Sequence, residues 1–234
     1  MEQASLALVE TRYFDAAKLA TKALRRAHAE RDYLTMARVC LPLQEARRQI
    51  RQDAVDAAET NGVVSVRHAD DLPRPLRPGC VLIVPPMIGA DGRSLSQMAF
   101  KRRVPLLVLT REPMTRKLRW PIVGLAERSF RAYVEPPEPL EYREDRMVRD
   151  GFEGPVSASW FSAAGEALGD AAIASVTADL HPWWRVDDLL VATEAIPEHE
   201  KLYQRLADAC REAAEANEPA EDRRLVDSPN PYSF

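Results

Sequence analysis

The chain reads as an α+β protein in which helical segments at both ends flank a small α/β unit. Three observations predict this: where alanine sits, where β-branched residues cluster, and where proline falls. Residues 1–60 hold 13 Ala, one Pro and no Gly, with 10 basic and 9 acidic side chains. Straight-chain and alanine-rich composition of this kind favours helix. Residues 61–134 hold only 5 Ala but carry the clusters Val63-Val64-Ser65-Val66, Val81-Leu82-Ile83-Val84 and residues 104–109, which fit strands. Alanine returns between residues 158 and 216, and helices are expected again. Of the 18 prolines, 11 lie between Pro73 and Pro139 and punctuate the strand-rich middle. The expected organisation is therefore a helical segment 1–60, a basic α/β unit 61–134, a Pro-rich acidic linker 135–157, a second helical segment 158–216 and a tail 217–234.

In the first segment Leu6, Val9, Tyr13, Ala16, Ala17, Ala20, Ala23, Leu24 and Ala27 recur at spacings of three and four. This makes a small-residue face suited to close helix packing. Tyr33, Met36, Ala37, Cys40 and Leu43 continue the pattern, and Pro42 is expected to kink or break the helix there. In the middle, 81–84 reads as a buried strand, 91–101 as a helix and 104–109 as a second strand. Together they form a β-α-β unit whose crossover sets the strands parallel. Residues 121–125 and 130–134 follow as a further pair of strands. Asp187-Asp188 is expected to cap the helix after it.

The C-terminal segment carries a spacing of its own. Leu189, Ala192 and Pro197 fit the large, small and proline positions that close a 34-residue helical repeat, and Tyr203, Leu206 and Ala207 fall where the next repeat's aromatic, Leu and small residue belong. On these residues the segment resembles the tetratricopeptide family. Tyr13, Ala16 and Ala23 match near the N-terminus, whereas Arg185 stands where the family usually has Ala. The resemblance implies α-helical hairpins at both ends and binding of other proteins through a concave face.

Charge is unevenly spread. The middle segment has 13 basic against 5 acidic residues, net +8, and residues 135–234 have 9 basic against 22 acidic, net −13, within a chain of net charge −4. Lys101, Arg102, Arg103, Arg111, Arg116, Lys117 and Arg119, with Trp120 alongside, make a candidate polyanion patch. Docking of this basic stretch on the chain's own acidic helices is the favoured reading, and nucleic acid is the less favoured one.

The loop after the 81–84 strand is the one candidate ligand site. Open α/β sheets bind ligands at the carboxyl ends of their strands, and free amides at a helix start suit an anion. Gly89 and Gly92 permit close approach, Arg93 supplies charge, Ser94 a hydroxyl, and Asp91 either shapes the site or simply caps the helix. No catalytic or metal-binding grouping stands out. The chain has neither a G-x-G-x-x-G nor a P-loop motif, and its cysteines, Cys40, Cys80 and Cys210, lie far apart in apolar surroundings. They are expected to be buried thiols in a reducing, cytoplasmic setting. His199, between Glu198 and Glu200, needs partners from elsewhere in the fold to act as a base or ligand. The longest uncharged apolar run, residues 81–90, is ten long with two prolines, well below the roughly 20 residues of a membrane span.

The leading expectation is a non-catalytic scaffold, without cofactor, that contacts another protein or itself through helical hairpins. The alternative is a domain, catalytic or not, that binds a small ligand or phosphate through the 89–94 loop.

Overall fold

The computed structural model describes residues 2–137 and 155–220. Most of the 135–157 linker and of the 217–234 tail therefore lies outside the described residues. Three helices open the chain: α1 (Glu2–Val9), α2 (Tyr13–Ala29) and α3 (Tyr33–Asn61). Glycine is scarce, so α1 and α2 end on non-glycine residues in the left-handed region, Thr11 and Arg31. Asp32 then starts α3 by accepting a hydrogen bond from the Thr35 amide at 2.9 Å. The alanine face reads as expected, with Ala16, Ala17, Ala20, Leu24 and Ala27 buried. Pro42 does not break α3, which runs unbroken for 29 residues, about 43 Å at 1.5 Å per residue.

A five-stranded sheet follows: β1 (Val63–Val66), β2 (Gly79–Ile83), β3 (Leu106–Arg111), β4 (Trp120–Leu125) and β5 (Ser129–Val134), in that spatial order. β1, β2 and β3 are parallel, whereas β4 and β5 run antiparallel. The crossover between β2 and β3 is α4 (Gly89–Lys101), so the expected β-α-β unit is present. Three helices close the described chain: α5 (Ala158–Ala174), α6 (Pro182–Ala195) and α7 (Glu200–Glu215). Asp187 and Asp188 lie inside α6 and cap nothing. His181 is the residue before the helix, and its Nδ1 accepts from the Trp183 amide.

The two faces of the sheet are covered differently. Val66, Val81, Ile83 and Leu106 pack with Leu95 and Ala99 of α4. The opposite set, including Cys80, Leu82, Leu107, Leu109 and Ile122, joins the large core built by α3 and the other helices. α3 is the spine of that core. Its first half packs against α2 and α7, and its second half brings Ala54 beneath β2, with Cys80 Sγ 3.9 Å from the Ala54 carbonyl. All three cysteines are buried and free, and burial pushes the Cys40 and Cys80 thiols up to about 12. Among the described residues no helix is long and apolar enough to cross a membrane.

The acidic C-terminal helices engage the N-terminal segment more than the basic middle. Arg25 pairs with Glu194 at 3.0 Å, Arg47 with Glu198 at 3.5 Å, Arg51 with Glu166 at 2.6 Å and His28 with Asp187 at 2.8 Å. Between the middle and the C-terminal helices, the ion pair seen among the described residues is Arg128 with Asp188. Expected docking of the basic stretch on those helices gives way to this arrangement because the N-terminal arginines lie directly opposite the acids along α3 and α2.

Candidate ligand cleft

β3 and β4 are in register over Thr110 with Val123 and Arg111 with Ile122, and the Glu112 amide donates to the Pro121 carbonyl at 2.9 Å beyond them. The next position on β4 is Gly124, and the link between α6 and α7 occupies the space beside it. A Cβ at Gly124 would lie 2.8 Å from Ile196 Cγ1 and 3.3 Å from the Ala195 carbonyl. Glycine at this point lets the link pack directly over β4, just where the registered pairing with β3 ends. Tyr203 fixes the link from below, its hydroxyl donating to the Pro197 carbonyl at 2.8 Å.

The β3–β4 seam has a cavity on either side. On the α4 side lies a cleft of about 290 Å³, walled by α4, by Val108, Thr110, Val123 and Leu125 of the sheet, and by helices from both ends of the chain. Behind the link lies a smaller cavity of about 50 Å³, bordered by Leu107, Leu109, Phe161, Glu166 and His199. Glu198 borders both.

The 89–94 loop contributes to the larger cleft in part. Gly89, Gly92 and Arg93 line it. Gly92 is required for packing: a Cβ there would collide with Thr110 Oγ1, so α4 can approach β3 closely only with glycine at this point. Asp91 is a helix cap, its carboxylate accepting from the Ile88 amide at 2.9 Å. That carboxylate places negative charge where an anion would otherwise meet the helix start. Ser94 is exposed and does not line the cleft. Arg93 donates from Nη1 to the Ala126 carbonyl at 3.0 Å and ties α4 to the turn between β4 and β5.

The strongest charged feature of the cleft comes from α3, outside the loop. The guanidinium carbon of Arg47 lies 4.3 Å from the centre of the Phe100 ring, and the side chain is 14% exposed. Its Nη1 meets Glu198 Oε1 only at 3.5 Å, and its buried Nε donates no hydrogen bond among the described residues. This is a held, planar cation whose Nε is enclosed by protein and whose Nη groups are left to meet Glu198, Tyr203 or a ligand. Burial pushes the Glu198 carboxyl up, against the pull of Arg47. Arg25, Arg93 and Lys101 also line the cleft, facing Glu194 and Glu198 as its carboxylates, so positive charge is in excess. Sequence reading missed Arg47, Glu198 and Tyr203. The available signal was the i, i+4 pair Arg47 and Arg51 set beside the apolar stripe of α3.

His199 lies near two carboxylates of α5, but neither of its buried ring nitrogens makes a hydrogen bond among the described residues. It is buried against Gly169, where a Cβ would collide with the imidazole, and its Nε2 lies 3.3 Å from Glu166 Oε2 and 3.6 Å from Asp170 Oδ1. Glu166 is also held by Arg51, and Asp170 by Lys201 at 2.9 Å. Burial pushes the imidazole below its ordinary value, with the two carboxylates opposing. Among the described residues no group of His, Cys, Asp and Glu is arranged to hold a metal ion.

The candidate polyanion residues are dispersed. Lys101, Arg102 and Arg103 sit at the end of α4, with Lys101 on the cleft and Arg103 paired with Asp15 at 2.6 Å. Arg116 and Lys117 are exposed in the β3–β4 connection, a strand length of about 20 Å away. Arg119 pairs with Glu135 at 2.7 Å. Arg111 is only 1% exposed and stacks on Trp120 at 4.3 Å, which makes it part of the interior.

No protein-family model, curated protein or solved structure matches the chain.

Proposed function

We propose that the protein binds a small molecule bearing a negative charge in the cleft between the α/β unit and the terminal helices. The observation that carries this reading is Arg47: half-buried, stacked on Phe100, and loosely paired at the cleft wall. A guanidinium in such a setting suits a carboxylate or phosphate, because its donors are fixed in a plane before the ligand arrives. The volume of about 290 Å³ lies at the small end of ligand pockets, and the apolar lining of Leu24, Leu43, Phe100 and Leu190 suits a compact organic body. The loop's Gly92 supports the reading by letting α4 approach β3 closely, whereas a Cβ at Gly89 would make only ordinary contacts, and the charge comes from α3.

A thermal-shift series with monocarboxylates, dicarboxylates, phosphate esters and nucleotides tests it. At least one anionic class should raise Tm in a concentration-dependent way, and Arg47→Met should abolish the rise. Absence of stabilisation by every class would refute the reading.

The scaffold reading keeps one observation in its favour. Leu34 and Leu41 share a face of α3, two turns apart, and are 53% and 70% exposed. A protein contact there predicts that Leu34→Ser with Leu41→Ser changes the hydrodynamic size of the protein at high concentration, measured by light scattering.

A further inference from the structure

We infer that the cleft takes a small organic monoanion with an apolar body, and that the anion binds together with one proton, which Glu198 carries. This rests on the anion-binding reading above and adds both the charge of the ligand and the fate of the proton.

The inference comes from counting fixed charge around one atom group. Deep in the cleft, Arg47 is the weakly paired cation, with Glu198 Oε1 3.5 Å from its Nη1 and its Nε enclosed by protein, so an anion would meet the Nη groups. Arg25 is committed to Glu194 at 3.0 Å, Arg93 gives Nη1 to the Ala126 carbonyl, and Lys101 is exposed at the rim. An anion that reaches the Nη groups of Arg47 must therefore share one guanidinium with a carboxylate a few ångströms away. Two carboxylates that share one guanidinium in a partly buried site raise each other's affinity for a proton, and one of them takes it up. Glu198 is the one that burial already inclines toward the neutral form. A dianion would add a second charge with no second fork to receive it.

The surroundings leave Glu198 as the proton's destination. From α3 it faces Arg47 and Arg51, both cationic. From α7 it faces Tyr203, whose hydroxyl is spent on Pro197 and whose burial keeps it protonated. From α5 it faces Glu166, which Arg51 holds at 2.6 Å. Burial pushes its neighbour His199 below the ordinary imidazole value, which favours the neutral ring. Across the cleft stand Arg25, Arg93, Lys101 and Glu194.

The test is isothermal titration of benzoate into the full chain, from pH 6 to 9, in buffers of different ionisation enthalpy. Benzoate stays ionised throughout that range, as any carboxyl near pKa 4 does. The dependence of heat on buffer enthalpy then counts protons taken up by the protein. The expected result is an uptake that passes through a maximum approaching one proton per benzoate, with affinity falling up to tenfold per pH unit above it. Glu198→Gln should bind benzoate with no uptake and no pH dependence, and phenyl phosphate, a dianion at the upper pH values, should bind at least tenfold more weakly than benzoate. Zero uptake across the whole series in the wild-type chain overturns the proposal without need of a variant, as does unchanged uptake in Glu198→Gln or tighter binding of phenyl phosphate. Absence of benzoate binding overturns the monoanion proposal while leaving the anion-binding reading to the wider thermal-shift series, and equal binding by Arg47→Met overturns that reading itself.

Discussion

Toward β2, strand β3 is registered over five residue pairs and packed on both faces by aliphatic side chains. Toward β4 it is registered over two pairs, and beyond them Ile196 packs over Gly124 while Ile196 and Glu198 border a cavity beside Leu107 and Leu109. The closed seam contains no charged side chain, whereas the open seam gathers Arg47, Arg51, Glu166, Glu198 and His199. Parallel strands buried on both faces leave no room for polar groups. A seam bordered by a loop exposes backbone and side chains that a ligand can reach. Stability and binding should accordingly separate along the two edges of one strand.

The largest expected effect lies on the closed edge. Leu82→Ala removes a side chain that is 1% exposed in the middle of β2 and should cost about 3 kcal/mol in denaturant unfolding. Affinity for benzoate in the folded protein should stay within about twofold, because Leu82 points away from the cleft. Next comes Gly124→Val, which puts atoms where Ile196 and the Ala195 carbonyl already lie. It should cost about 2 kcal/mol through overpacking and, unlike Leu82→Ala, reduce benzoate affinity at least tenfold by displacing the Glu198 link. If both variants lost stability and binding in parallel, the two edges would not be distinct.

A smaller effect comes from His199. Its folded-state pKa is depressed, so the unfolded chain takes up a proton more readily as pH falls through the ordinary imidazole value of about 6.5. Stability present above that value should decline below it, and His199→Gln should flatten this limb of the Tm against pH curve. Smallest of all, Arg103→Ala breaks an ion pair with Asp15 whose arginine is 64% exposed, and Tm should not move measurably.

How much of this was legible in the chain depended on whether the cause was local. The alanine face of α2, the β-α-β unit and the paired strands β4 and β5 follow from periodicity, and each formed as its residues dictate. Pro42 was misleading because tertiary packing on both sides of α3 outweighs one lost helical hydrogen bond. Asp187-Asp188 looked like a cap, but His181-Pro182 upstream starts the helix and leaves the two acids to pair with His28 and Arg128. Gly89, Gly92 and Arg93 were found because a strand-to-helix junction is a local pattern. Arg47, Glu198 and Tyr203 are brought together from α3 and the α6–α7 region, about 150 residues apart in sequence, so no local spacing encodes their meeting. Gly124 and Gly169 were equally silent, since the need for glycine there is set by Ile196 and His199.

Amide NMR chemical-shift mapping of benzoate on the full-length chain tests the central claim most directly. The account predicts that the shifts cluster at Phe100, Gly124, Leu125 and Glu198, with β1 and β2 unmoved, and that they vanish in Arg47→Met. Shifts centred on the exposed helix ends or the β3–β4 connection, or the same map in Arg47→Met, would contradict it.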